Sequence, residues 1–445
     1  MRAKISSSRN PLEGLEELVS RCVKCGKCRS VCPVFQALGR EPSAARGKMA
    51  LMETAMGNPM AFSYEELEKA LSLCLLCGRC TQNCPNGAKA KEAVERARML
   101  LARDGGLRLF KRSISKMASL DRKSRDPLVR SLASLQKIIL AHGGFNRGLL
   151  FKLLDSKWVP EIQTPFFLDR SRVSVTEGTG GMTVALFVGC SIHYLAPHVG
   201  EAAVGILEAL GFSVRIPREQ GCCGLMSKAM GDLARARSLA KRFVETFGRD
   251  EWEVIVVPCA SCAFHLSRGL VPLLEGTDLE HVAESISLKT VEMSSFLAEL
   301  GLQEILKSHP ERERRGLVTY HDPCHMSVGL GKRREPRALL GALSSYSYRE
   351  MEGADLCCGM GGSFRIFHPR VSKTISRKKL AAIEESQADV IATTCMGCWL
   401  QLDEMVKTGH VKKSVVHLAE LLWDDLKHQG KEWMDSPKSA LARWE

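Results

Sequence analysis

In the second half of the chain, short apolar runs alternate with longer stretches of helical period. Val184–Val188 has strand length, and a helical pattern follows from about His198 to Leu210. Phe212–Ile216 is a second strand candidate, a helix is predicted over about Met226–Phe247, and Val254–Val257 is apolar and β-branched. The pattern recurs further on, with strands predicted at Leu317–Tyr320 and Val390–Thr393. Strands alternating with helices predict a mostly parallel sheet, whose ligands sit outside the carboxyl ends of the strands. Cys190, Cys259, Cys324 and Cys395 fall just past those ends. The first hundred residues read differently, with helical character from about Ser43 to Gly57 and from Tyr64 to Leu73. Between the two parts, Leu128, Leu132, Leu135, Ile138 and Ile139 recur at helical spacing, which predicts amphipathic linking helices.

The cysteines form two nested repeats. Cys22, Cys25, Cys28 and Cys32, followed by Pro33, recur 52 residues later as Cys74, Cys77, Cys80 and Cys84, followed by Pro85. Cys190, the Cys222–Cys223 pair, Cys259 and Cys262 recur 134 to 136 residues later as Cys324, the Cys357–Cys358 pair, Cys395 and Cys398. The two repeats account for all 18 cysteines. A run of C-x2-C-x2-C-x3-C-P supplies three thiolates to one iron–sulfur cubane and a fourth to its neighbour. That assigns Cys22, Cys25, Cys28 and Cys84 to one [4Fe–4S] cluster, and Cys74, Cys77, Cys80 and Cys32 to a second. Gly26 and Gly78 sit inside the loops, where backbone N–H groups can approach the sulfides. Zinc also takes four cysteines, usually as two separated CxxC pairs. In the second repeat, five cysteines per copy is one more than a cubane needs, which hints at an unusual cluster; a CxxC redox pair or structural zinc is the plainer alternative. Gly359-Met360-Gly361-Gly362 lets the chain pass close to that site and is expected to start a helix there.

Composition narrows the picture. A chain of 445 residues suggests two to four domains. It is too long to need disulfide staples, and its first residues lack the apolar core and cleavage site of a signal peptide, so the cysteines are expected to hold metal in a cytoplasmic protein. No run of 18 uncharged apolar residues suggests a membrane span. The net charge is +13, and Gly105–Pro160 carries twelve Lys or Arg against three Asp. That stretch is read as a structural linker with a solvated basic face, or as a docking surface for a partner or anionic lipid. No aromatic stacking platform accompanies the charge, so no nucleic acid is expected as a partner. His193, His265, His321 and His325 lie near cysteines, as packed side chains or as groups that donate a hydrogen bond, ligate or shuttle a proton. Arg46 and Lys48 either form a solvated turn or raise the potential of a nearby cluster.

At these residues the sequence resembles the glycolate oxidase iron–sulfur subunit and heterodisulfide reductase D-type family, in which tandem CCG domains follow a two-cluster ferredoxin domain. Arg46-Gly47-Lys48 and Tyr320-His321-Asp322-Pro323-Cys324-His325 are further matching pieces. The resemblance spans roughly residues 15 to 425. It implies a mainly helical ferredoxin-type domain followed by an α/β carboxy-terminal half of two pseudo-symmetric CCG domains with parallel sheets. The expected divisions are 1–102 for the ferredoxin domain, 103–180 for the basic linker, 181–310 for the first CCG domain and 311–445 for the second. It further implies one or two [4Fe–4S] clusters in the CCG domains, of noncubane type in the heterodisulfide branch.

No Rossmann glycine motif follows a strand, and no Walker A motif is present, so hydride chemistry is expected on another chain. The leading expectation is an oxidoreductase subunit that relays electrons from a flavoprotein dehydrogenase (FAD or FMN) acting on glycolate or lactate. A quinone-linked or membrane subunit is a further acceptor, and the chain would then lie peripherally on the cytoplasmic membrane face. The alternative is a heterodisulfide-reductase-type catalytic subunit, with Cys357 and Cys358 at the site of disulfide cleavage.

Overall fold

The computed structural model describes residues 12–107, 109–141, 159–170, 181–249, 251–308 and 313–428. The opening segment and most of the linker beyond residue 141 lie outside that set. The chain divides into two compact units. One takes the chain up to Ser119 together with Gly224–Ser238 and Cys357–Lys379; the other takes Leu120–Cys223, Leu239–Leu356 and Leu380 onward.

The first unit is helical. The helices Ala45–Gly57 and Tyr64–Ser72 correspond to the two expected from the sequence. Ser63 starts the second with a capping box, its side chain accepting from the Glu66 N–H while Glu66 reaches back to the Ser63 N–H. The helix Ala90–Gly105 lays Ala93, Val94, Ala97 and Leu101 against Met49, Met52, Leu67 and Leu71, closing a small core. Arg98, on that helix, donates to the carbonyls of Leu71, Ser72, Cys74 and Ala229, so one partly buried guanidinium ties down the start of the second cysteine run.

The second unit holds two four-stranded sheets, both entirely parallel. β1 (Thr183–Leu186), β2 (Ser213–Arg215), β3 (Val254–Val257) and β4 (Thr290–Glu292) run in the order β2-β1-β3-β4. β5 (Leu317–Tyr320), β6 (Ser347–Tyr348), β7 (Val390–Thr393) and β8 (Ser414–His417) repeat it as β6-β5-β7-β8. Val184 pairs with Val254 in the first sheet and Val318 with Val390 in the second, so the central strands match in register as well as order. β3 is buried at all four residues, the signature of a strand covered on both faces. Strand order reverses about β1 and β3, and about β5 and β7, which places the ligand side at their carboxyl ends.

Three expectations need correction. The helix predicted over about Met226–Phe247 is two helices, Leu225–Met230 and Leu233–Phe247. Gly231 at φ +90° breaks it, where a Cβ would stand 2.4 Å from the Arg98 carbonyl oxygen. No helix starts at the glycines 359–362 themselves; a single turn, Phe364–Phe367, follows them, because Gly359, Gly361 and Gly362 all adopt positive φ. In the helix Arg122–Ala141, the apolar stripe is not the packed face. Leu128, Leu132, Leu135 and Ile138 are all exposed, while Arg125, Asp126, Ala133 and Gln136 are buried. Polar pairing decides that orientation, since Gln136 donates to the Pro160 carbonyl and accepts from the Ile162 N–H. The side chain of Ile139 lies outside the described set. Among the described residues, no helix is long and apolar enough to cross a membrane.

Glu292 gives the second unit a pH dependence. It is buried at the end of β4 and accepts from the Ser295 N–H at 3.0 Å, capping the helix Met293–Glu299. Burial pushes its carboxyl up to about 7 from an ordinary 4.5. The folded state thus holds this proton more tightly than the unfolded chain, so its contribution is full at acidic pH and fades as pH rises from about 4.5 through 7. Glu292→Gln keeps an acceptor for Ser295 and removes the charge. At pH 8 the variant is expected to be more stable than the parent by up to about 3 kcal/mol, and by less than about 1 kcal/mol at pH 5. Anaerobic denaturant titrations at both pH values check this, and a stability difference independent of pH refutes it.

Candidate metal centres

All 18 cysteines are free thiols, and they gather in groups. In the first unit, the two ferredoxin-type runs share an unusual backbone. Lys24 and Leu76, 52 residues apart, both adopt left-handed φ, of 58° and 54°; Gly26 and Gly78 follow at 85° and 77°. A non-glycine residue held there costs about 1 kcal/mol or more, so the same strain at both repeats marks a loop shaped to turn successive thiols and N–H groups inward. Cys22 and Cys25 are the charge neighbours of Cys28. Cys74 is the neighbour of Cys32, and Cys74, Cys77 and Cys32 surround Cys80. The segment after Cys84 is tied to the start of the first run by a 2.6 Å bond from the Asn86 amide to the Arg21 carbonyl. Val34, Leu75, Phe364 and Ile375 then pack with Cys32, Cys77 and Cys357, so the second doublet's leading thiol adjoins the second run.

The second unit gathers the remaining thiols, apart from Cys357 and Cys358 of the first unit, near the carboxyl ends of its strands. Cys190 opens the helix Gly189–Leu195 after β1 and hydrogen-bonds Cys222. Cys262 hydrogen-bonds Cys223 and Cys259. Cys259 meets Cys395, its own counterpart in the repeat, and Cys395 also bonds Cys398. Gly224 and Gly359 both follow a doublet at φ near 90°, another backbone feature kept by both copies.

These groups fit iron–sulfur clusters by the chemistry of the donors. Burial first, then the neighbouring Cys74 and Cys77, push the Cys80 thiol well up. The bond to Cys222 and then burial do the same for Cys190. Closely spaced buried thiols resist ionising one beside another, a cost that bound cations offset. Iron–sulfur clusters supply one-electron redox chemistry when bound.

The basic residues after the first run do not form a solvated turn. Lys48 is buried at 1% exposure, donates to the Pro42 and Ser43 carbonyls, and is held below its usual range by that burial, against which Cys74 and Cys32 act. Gly47 makes room for this, since a Cβ there would stand 2.0 Å from the Glu41 carbonyl oxygen. Arg46 is partly exposed, pairs with Glu41 at 2.6 Å and faces Cys28 and Cys25. The histidines separate. His193 and His265 are buried, and burial lowers His193 to about 4. His321 is buried after β5. His325 stacks on Phe264 with ring centroids 4.9 Å apart, and its Nδ1 shares a 2.8 Å bond with Ser261, whose hydroxyl lies 3.0 Å from Cys395 Sγ. Sequence reasoning missed Ser261, Arg98 and Arg125; only the fold brings them to thiols.

Comparison with known proteins agrees with this arrangement. A "4Fe-4S dicluster domain" profile matches residues 18–88, and a "Cysteine-rich domain" profile matches 184–267 and 318–403. The chain is similar to the probable glycolate oxidase iron-sulfur subunit of Bacillus subtilis, at 29% identity over 92% of this chain and 94% of that protein. It is similar to lactate utilization protein A of Halalkalibacterium halodurans, at 31% identity over 54% of this chain and 96% of that protein. It is also similar to one subunit of the fumarate reductase (CoM/CoB) of Methanothermobacter marburgensis, at 26% identity over 90% of this chain and 71% of that protein. Fold and thiols together define an electron-transfer protein carrying multiple 4Fe–4S clusters. The chain belongs to the family of iron–sulfur oxidoreductase subunits with cysteine-rich domains that includes lactate utilization protein A and the probable glycolate oxidase iron-sulfur subunit.

Lys48 provides a direct test of how the protein sets a potential. A buried cation beside Cys32 and Cys74 favours the more negative, reduced state. Lys48→Met is expected to lower the midpoint of that cluster by about 60 mV, a tenfold change in its one-electron equilibrium. A redox titration followed by EPR reads this, and an unchanged midpoint refutes it.

Proposed function

We propose that the chain is the iron–sulfur subunit of a flavin-dependent 2-hydroxy-acid dehydrogenase, taking electrons from a flavoprotein partner that oxidises glycolate or lactate. One observation carries this reading. In the first unit the thiols form a continuous series, from Cys28 through Cys80, Cys74, Cys32 and Cys77 to Cys357. That is the layout of a path for single electrons. The similarity to subunits named for glycolate oxidase and lactate utilization supports the substrate class.

Within this reading, Cys22, Cys25, Cys28 and Cys84 hold one cluster, and Cys74, Cys77, Cys80 and Cys32 the second. Cys190, Cys222, Cys223, Cys259 and Cys262 hold a third site, and Cys324, Cys357, Cys358, Cys395 and Cys398 a fourth. Residues 1–102, 103–180, 181–310 and 311–445 are the corresponding functional divisions. The partner carries FAD or FMN, and a quinone-linked or membrane subunit is the further acceptor. The chain works in the cytoplasm, where thiols stay reduced, against the cytoplasmic face of the membrane when that acceptor is a membrane subunit.

A second reading has its own support. Both five-cysteine sets are complete, and one relative is named as a subunit of fumarate reductase (CoM/CoB). Under it, the Cys357–Cys358 doublet would serve the cleavage of a disulfide.

The anaerobically purified protein is expected to contain about 16 irons per chain. Mixed with a flavoprotein 2-hydroxy-acid dehydrogenase, it is expected to bleach in the visible on adding glycolate or lactate, and not without the flavoprotein. Failure to bleach with either acid would sink the leading reading. A new EPR species on adding a heterodisulfide, abolished by Cys358→Ser, would favour the second.

A further inference from the structure

The first cysteine-rich copy has a cation delivered to it from outside its own repeat. Arg125 lies on the helix Arg122–Ala141, before the repeat begins, and is buried at 4% exposure. Its Nε donates to the Tyr194 hydroxyl at 2.7 Å, and its Cζ lies 5.3 Å from the Tyr194 ring centroid. Tyr194 in turn donates to Asp126 Oδ1 at 2.7 Å. Tyr194 stands one helical turn beyond Cys190 on the helix Gly189–Leu195, so fixing Arg125 to Tyr194 fixes it to the Cys190 helix. On the other side, Arg125 Nη2 is 3.8 Å from where a Cβ would sit on Gly221, the residue before Cys222. Cys190 and Cys222 are both among the charges acting on the guanidinium.

The carboxylates of the same region are shared among several arginines. Asp126 lies 3.8 Å from Arg122, and Asp169 pairs with Arg122 at 3.4 Å and Arg130 at 2.7 Å. Of these arginines, Arg125 is the one held against the cysteine loops.

We infer that Arg125 is a potential-setting residue for the iron–sulfur site of Cys190 and Cys222, with Tyr194 and Asp126 as the positioning residues that hold it there. The inference rests on the proposed function, in that it takes these cysteines to be cluster ligands. Adding one electron to a thiolate-held cluster adds one negative charge, which a fixed guanidinium stabilises. Arg125 therefore raises the potential of that site. It acts on the equilibrium alone and neither gains nor loses an electron or proton.

The test uses the full-length protein, purified without air. The EPR signal that disappears in Cys222→Ser identifies the site, and its midpoint is then measured in three variants of known iron content. Arg125→Gln is expected to lower that midpoint by about 59 mV, a tenfold change in the one-electron equilibrium, and to leave the other signals in place. Arg125→Lys keeps the charge and is expected to restore most of the shift. Tyr194→Phe frees the guanidinium and is expected to shift the midpoint the same way by less. If Arg125→Gln cannot hold its iron, the other two decide: a near-parental midpoint in Arg125→Lys with a lowered one in Tyr194→Phe supports the inference. An unshifted midpoint in Arg125→Gln, or in Tyr194→Phe where Arg125→Gln cannot be loaded, overturns the inference while the proposed function stands. Equal shifts in Arg125→Gln and Arg125→Lys also overturn it, since a purely structural role predicts that. A parent protein with no signal sensitive to Cys222→Ser overturns the inference and the cluster assignment together.

Discussion

The central constraint on this chain is the cost of bringing thiolates together away from water. A single buried thiol prefers to stay protonated, and each ionised neighbour makes the next harder to ionise. In this structure the thiols are brought together regardless, with Cys80 among four others and Cys259 against Cys395. Such groups are affordable only if iron compensates the charge, so the backbone must be built around where iron binds. The left-handed residues are where that requirement shows. Lys24 and Leu76 are not glycines, yet both hold positive φ at equivalent positions. A strain repeated at matching sites records a demand of the loop rather than an accident of one sequence.

The same constraint explains where the buried cations lie. Lys48 and Arg125 are buried and Arg98 is partly buried, and each lies close to cysteine loops, yet they do different work. Arg98 is wrapped in four carbonyls and chiefly fixes the chain before Cys74. Lys48 gives its protons to two carbonyls and leaves its charge to act on Cys32 and Cys74. Arg125 reaches its thiols through a tyrosine. A buried cation without such partners would be too costly to keep. Each is therefore tied down by hydrogen bonds that also determine which thiols feel it.

Much of this was legible in the sequence, because covalent spacing carries it. The cysteine offsets reveal both repeats, and the β-branched runs at Val254–Val257, Leu317–Tyr320 and Val390–Thr393 are strands at those residues. The edge strands β4, β6 and β8 were not legible, being two to four residues long and partly polar. Nor was the break at Gly231, whose cause is a carbonyl of Arg98 more than a hundred residues earlier. Periodicity found the helix Arg122–Ala141 and misread its packed face, because it counts apolar residues and cannot see that Arg125, Asp126 and Gln136 would find polar partners. The approach of Cys357 to Cys32 and Cys77 was hidden for the same reason.

The duplication itself raises a final physical point. Two identical ligand sets in identical surroundings would have equal potentials and give electrons no preferred direction. The two copies here are alike in strand order, register and cysteine placement, and they differ in what surrounds the thiols. Tyr194, which holds Arg125, has Val328 as its counterpart in the repeat, and a valine offers no hydroxyl to hold a guanidinium. Ser261 and His325, which approach Cys395, correspond to Gly397 and Ser191 in the other copy. Surrounding hydrogen bonds and charges tune a cluster without changing its ligands. Divergence at these few positions, with the cysteines held constant, is how a duplicated scaffold acquires two unequal redox sites.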